Sequence, residues 1–272
     1  MRSLVAALPM LLLALHVQAA EKCRIEWEQS GIHTASAWVN RDNRFSPEYL
    51  RYSLQSNGHF MPRLSIRSTS AASDLTPSEH PLSLTGLKAT DPLEQGERSL
   101  DFLLESRLYA DGVLILQNGR VLAEKYWNGL GAGQARLLLG GTRPVLSLMG
   151  VLAINQGKLQ APRSVAHHIP SLNQEAALRK LSIRRLLEGD RTFQWSPAEL
   201  DDWQQAGGWK PGKPNGLRDW LSQPGRWEKD RIDGAPRWIA PMPDDDLLAW
   251  TLSETYRAPL AQVFCEGVKF RS

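Results

Sequence analysis

The hydrophobic positions change rhythm along the chain, and each change marks an element. Arg2 precedes an apolar run from Leu4 to Leu15, followed by Val17-Gln18-Ala19. This is the pattern of a secretory signal peptide cleaved after Ala19 or Ala20. The run is shorter than the ~20 residues that a membrane helix needs. No later stretch comes near that length, so a periplasmic or secreted chain with no membrane span after cleavage is expected. Between Arg51 and Arg67 two alternating runs flank Asn57-Gly58, which predicts a hairpin. Pro62 would put its second strand at an edge. Ser68 to Gly96, rich in Ser, Thr, Pro and Gly, reads as a long surface loop.

The pattern then becomes firmer. Ser99 is placed to cap a short helix through Leu103, Leu104 and Leu108. Val113–Gln117 and Arg120–Trp127 predict two strands joined by Asn118-Gly119. Thr142 is the expected N-cap of a helix that tolerates Pro144 in its first turn. Val145 to Ile154 is apolar on every face, which predicts a helix buried at the centre and stopped by Gly157. Ser182–Leu187 predicts a helix closed by Gly189. Ser196-Pro197-Ala198-Glu199 is a capping box. Leu217–Leu221 is a helical turn, and Asp244, Asp245 and Asp246 open a helix where acidic groups complement its dipole. The order predicts an α+β fold, a sheet with flanking helices plus a helical cluster. The expected divisions are 1–20 as signal peptide, 21–96 as a strand and loop segment, and 97–272 as the main domain.

Composition narrows the functions. A hydrophobic fraction of 42% is ordinary for one folded unit. A net charge of +3 spread along the chain gives no nucleic-acid footprint. The two cysteines, Cys23 and Cys265, form a candidate disulfide in an oxidising compartment; two separate buried thiols are the alternative. Trp195, Trp203, Trp209, Trp220, Trp227, Trp238 and Trp250 are expected mostly in the core, since cleft-lining is the rarer use. Of these, Trp209 and Trp238, with Thr142, are candidate cleft residues. His167-His168 has no third ligand at metal spacing and reads as surface. The run Asp244–Asp246 lacks the alternation of a Ca²⁺ loop, and a solvated helix start is the better reading. Gly131 to Gly141 lacks Gly-Lys-Ser/Thr, so no phosphate loop is indicated. No metal and no cofactor are expected.

Several segments, in order, resemble one family. These are Asp111-Gly112-Val113-Leu114-Ile115-Leu116, Asn118-Gly119-Arg120 and Glu124-Lys125-Tyr126-Trp127-Asn128-Gly129, then Gln156-Gly157-Lys158-Leu159, His168-Ile169-Pro170-Ser171-Leu172, Leu181-Ser182-Ile183-Arg184-Arg185-Leu186-Leu187 and Asp246-Leu247-Leu248-Ala249-Trp250. Together they look like the serine β-lactamase-like and penicillin-binding-protein-like hydrolases, in the 6-aminohexanoate-dimer hydrolase branch. The resemblance spans about Asp91 to Leu260. It implies a Ser and a Lys one turn apart at the start of the buried helix, and a Tyr from a later loop. Aligned on Leu137-Leu138-Leu139 and Val145–Ile154, those positions hold Gly140, Arg143 and Ala240. Gly140 has no nucleophile, and Arg143 is always protonated and cannot act as a base. Glu188-Gly189-Asp190 replaces the expected turn after Leu187. The family's C-terminal strands have no counterpart before Ser272.

The resemblance therefore implies a catalytically inactive relative. Its partner would be an envelope ligand (a peptidoglycan fragment, amide or ester) or a protein. One alternative is an active amide or ester hydrolase with another nucleophile. Ser147 is such a candidate, but Gly150 stands where its Lys should be. Thr85-Gly86-Leu87-Lys88 has the right spacing but no apolar helix behind it. A second alternative is an assembly component whose sheet is completed by a partner's strands.

Overall fold

The computed structural model describes residues 23–28, 38–40, 42–61, 63–68, 75–189, 193, 195–211, 216–228 and 243–267. The expected signal peptide, Pro62, Asp190, Trp238 and Ala240 lie outside the described residues.

β1 (Cys23–Glu28) is followed by α1 (Pro47–Gln55) and β2 (Arg63–Ser68). β1 and β2 pair antiparallel, with Ile25 opposite Ile66. The hairpin expected at Asn57-Gly58 is not formed. Residues 47–55 are helical, and Asn57–His59 is a single 3₁₀ turn. Ser46-Pro47 with Glu48 starts a helix here, because Pro is pre-set at the first helical position and Glu suits the dipole. β2 takes its partner from upstream instead. The segment expected as a surface loop also carries strands. β3 (Thr76–Pro77) lies parallel to a later strand, and β4 (Lys88–Thr90) pairs antiparallel with β5 (Glu97–Ser99). These strands are two or three residues long, too short to show alternation.

The Ser99 hydroxyl accepts from the Phe102 amide and caps α2 (Leu100–Phe102), which runs on as one π turn through Arg107. β6 (Gly112–Gln117) and β7 (Arg120–Tyr126) form the predicted hairpin. Asn118 and Gly119 both have positive φ, 51° and 75°, as a type I′ turn requires. The sheet order is β3-β7-β6.

The rest is helical: α3 (Thr142–Asn155), α4 (Val165–His168), α5 (Ala176–Lys180), α6 (Ile183–Glu188), α7 (Pro197–Ala206), α8 (Leu217–Leu221), α9 (Pro243–Tyr256) and α10 (Leu260–Gly267). The capping box at Ser196 and Glu199 is complete, and Gly189 closes α6 in the left-handed conformation. This mixed architecture of helices and small sheets is compatible with an α+β fold.

α9, not α3, occupies the centre. Leu247, Leu248, Trp250, Thr251, Leu252 and Ser253 are buried around most of its circumference. α3 buries one face, Leu146, Met149, Gly150 and Ala153, and leaves Leu148 42% and Val151 47% exposed. Gly150 lets the α6 side approach: a Cβ there would lie 2.3 Å from a Leu187 methyl. The helices share a core rich in tryptophan, with Trp195 and Trp227 edge to face at 5.3 Å. α10 packs on α9 and α3 and against β1 and β2, which brings the helix carrying Cys265 to the strand that Cys23 opens.

Candidate functional site

The site grows from the starts of two helices and the later half of a third. α3 begins directly after a 3₁₀ turn, Leu139–Gly141, so Thr142 is its first residue and Gly141 stands at the N-cap. The expected Thr142 cap bond is not made, because the turn already carries the chain into helical geometry. Leu139 has φ of 48°, a left-handed conformation that is strained for a residue with a side chain. α7 contributes Trp203, and α9 contributes Asp245 and Asp246.

Together they enclose a pocket of about 510 Å³, within the size range of small-molecule sites. Phe45 and Trp209 form one wall, with ring centroids 6.2 Å apart. The buried Arg44 guanidinium donates to the Trp209 carbonyl at 2.7 Å and lies 4.7 Å from the Phe45 ring centre, which fixes that wall. Leu137, Leu139 and Leu146 supply further apolar surface. The Leu137 amide donates to the Leu54 carbonyl at 2.8 Å, so α1 holds the glycine-rich loop in place.

The charges are arranged in pairs. Arg143 Nη1 donates to Asp245 Oδ1 at 2.6 Å, and its Nη2 donates to the Leu186 carbonyl. Lys210 is held by Asp201. Asp246 has only a neutral donor among the described residues, the Trp203 indole N–H at 2.7 Å from Oδ2. Burial pushes the Asp246 carboxyl up to about 6; the Trp203 bond opposes this, and the charge of Asp245 adds to it. The triple-Asp start of α9 is therefore not the solvated surface expected: Asp244, Asp245 and Asp246 are all partly buried, because α9 runs through the middle of the helical cluster.

Of the candidate residues, Thr142 and Trp209 line the pocket, while Trp238 and Ala240 lie outside the described residues. Gly140 sits in the turn before α3. Asp246, Asp42 and Phe45 were not legible as site residues: nothing in their local pattern marks a cleft. Ser147 does not line the pocket; its hydroxyl donates to the Leu187 carbonyl at 3.4 Å. Neither Ser46 nor Thr142, both on the wall, hydrogen-bonds a basic side chain among the described residues. His167 is exposed, but His168 is half-buried, not the surface residue expected. Its buried Nε2 has no hydrogen-bond partner among the described residues, and burial holds its basicity below the usual range, with the charges of His167 and Arg163 adding to this. No group of three or more metal-binding side chains occurs among the described residues.

No protein-family profile and no curated protein matches the chain. A solved structure titled "Putative 6-aminohexanoate-dimer hydrolase from Bacillus anthracis" superposes with a TM-score of 0.61 at 14% identity. The match covers 85% of this chain and 61% of that one. The fold is β-lactamase-like. At this identity the likeness concerns architecture alone, and the chain spans less than two thirds of the neighbour's length. No helix among the described residues is long and apolar enough to cross a membrane.

Proposed function

We propose that this chain is an exported, catalytically inactive relative of the serine β-lactamase-like hydrolases that binds an envelope ligand or a protein partner in the pocket between α3, α7 and α9. The observation that carries the reading is the state of Arg143. At the place where the resemblance calls for a lysine base stands a guanidinium already engaged by Asp245 and the Leu186 carbonyl. It cannot take a proton, and Gly140, three residues earlier, offers none to take. Removing one member of such a catalytic unit can cost ~10⁶-fold in serine proteases. The apolar walls, by contrast, suit a ligand.

The test is labelling of the purified mature protein with a fluorophosphonate and a fluorescent penicillin, with p-nitrophenyl ester hydrolysis alongside. No label and no turnover above a boiled control are expected, with thermal stabilisation by one or more of a panel of peptidoglycan fragments and amides. Robust turnover abolished by a single substitution, at Ser147 for example, would overturn the reading.

A second reading is an assembly component. It is favoured by β6, which lies at the end of its sheet with Leu114 and Leu116 exposed. Light scattering after size exclusion tests it, and a stable monodisperse monomer would count against it.

A further inference from the structure

We infer that the pocket takes an organic ammonium ligand, its apolar body along Phe45 and Trp209 and its charged end against Asp246. This rests on the reading of the pocket as a binding site.

The argument begins with which charges are already satisfied. Lys210, the one cation on the wall among the described residues, is half-exposed and paired with Asp201, and Arg143, paired with Asp245, does not line the pocket. Among the described residues no unpaired cation lines the pocket. Two carboxylates of the wall, Asp42 and Asp246, have no cationic partner among those residues. Asp42 is exposed and solvated. Asp246 is lodged under Trp203 with a neutral hydrogen bond. A buried carboxylate with only a neutral donor carries an uncompensated desolvation cost. A ligand carboxylate would add repulsion, and a neutral ligand would bury the carboxylate further. An ammonium would offset that cost and gain a charge-assisted bond.

The walls suit the same ligand. The tilted Phe45–Trp209 pair presents aromatic surface on the wall of the same pocket, and such surface favours both apolar contact and cations. Thr142 adds a hydroxyl with no other hydrogen bond among the described residues. The titration of Asp246 agrees. Burial lifts it to about 6, so a cation must displace its proton below that pH. Affinity for an ammonium should then weaken by up to about tenfold for each pH unit below 6.

The experiment is calorimetric titration of the mature protein with 2-phenylethylammonium, 2-phenylethanol and 3-phenylpropionate at pH 7.5 and pH 5.0. At pH 7.5 the ammonium should bind at least tenfold more tightly than the alcohol, and the carboxylate least tightly. At pH 5.0 the advantage of the ammonium should shrink severalfold while the alcohol is unchanged. Asp246→Asn, checked for folding by thermal melting, should erase the advantage and keep alcohol binding. If that variant does not fold, the pH series on the parent protein decides. Equal binding of alcohol and ammonium, preference for the carboxylate, or no heat with any probe overturns the inference. Binding of the alcohol or carboxylate without turnover leaves the inactive-pocket reading intact. Hydrolysis of 2-phenylethyl acetate blocked by a fluorophosphonate sinks that reading instead.

Discussion

Arg143 Nη1 stands 2.6 Å from Asp245 Oδ1, and the pair clasps the first turn of α3 to the first turn of α9. Both side chains are mostly shielded, at 13% and 21% exposure, so solvent screens the pair only partly.

Arg143→Ala leaves Asp245 without its cation and the Leu186 carbonyl without this donor. Loss of one partner of a largely buried pair costs on the order of 3 kcal/mol. Arg143→Lys should recover less than half of it, since an ammonium does not reproduce the planar fork that reaches two acceptors. Urea unfolding measures both; full recovery by lysine would show that only the charge matters. In the same background Gly140→Ser with Arg143→Lys should give no ester hydrolysis, because the resemblance also places Ala240 at the third catalytic position.

Asp246 sets a pH slope on stability. Its carboxyl titrates at about 6 in the folded protein against 3.8 as a free group. The folded state thus holds the proton more tightly, and stability is greatest below pH 4 and declines as pH rises through 6. Over that window the effect is on the order of 3 kcal/mol at most. Asp246→Asn keeps an acceptor for the Trp203 indole and removes the charge. It should melt several degrees above the parent at pH 7.5 and level with it near pH 4. A melting difference that is the same at both pH values would show that Asp246 does not titrate in this range.

Asp111 is fully buried and gathers Arg51 Nε at 3.0 Å, Arg136 Nη2 at 3.1 Å and the Asn128 amide at 3.2 Å. It ties α1, the start of the β6–β7 hairpin and the glycine-rich loop to one point. Asp111→Ala removes the acceptor that Arg51, Arg136 and Asn128 share; both guanidinium groups are more than a third exposed, so water takes up part of the loss and the cost is about 1 to 2 kcal/mol. Hydrogen exchange should speed up at the Leu137 amide, which this loop holds on Leu54. An unchanged exchange rate there would mean the loop is anchored elsewhere.

Cys23 opens β1 and Cys265 lies on α10, which packs on that strand. We propose that the two pair as a disulfide; closing so long a loop would stabilise by up to ~5 kcal/mol in the chain-entropy account. Thiol titration of the denatured, unreduced protein should find no reactive thiol, and reduction should lower the melting temperature. Two reactive thiols before reduction would end the idea.

The sequence made the helical half legible, and local chemistry is the reason. Ser182, Ser196, Gly189 and Asn118-Gly119 each specify a cap or turn within four residues, so their elements stand where the pattern puts them. The N-terminal half was hidden because its strands are short and find partners far away: β2 pairs with β1 across α1, and β3 joins β7. Composition also misplaced the central helix. α3 is the more apolar in sequence, yet α9, with its Thr and Ser, is the more enclosed, because its Thr251 hydroxyl bonds back to the Leu247 carbonyl at 2.8 Å. The pocket could be anticipated only at Thr142 and Trp209. Asp246 became part of it through packing against Trp203, which no spacing in the chain announces.

Consecutive residues on a helix point about 100° apart. Asp245 and Asp246 therefore address different neighbours, one the guanidinium on α3 and the other the indole on α7. The first turn of α9 acts as a yoke: a proton gained or lost at Asp246 is felt by an intrinsic fluorophore whose N–H it holds. Trp203 emission should therefore change as Asp246 gains or loses its proton.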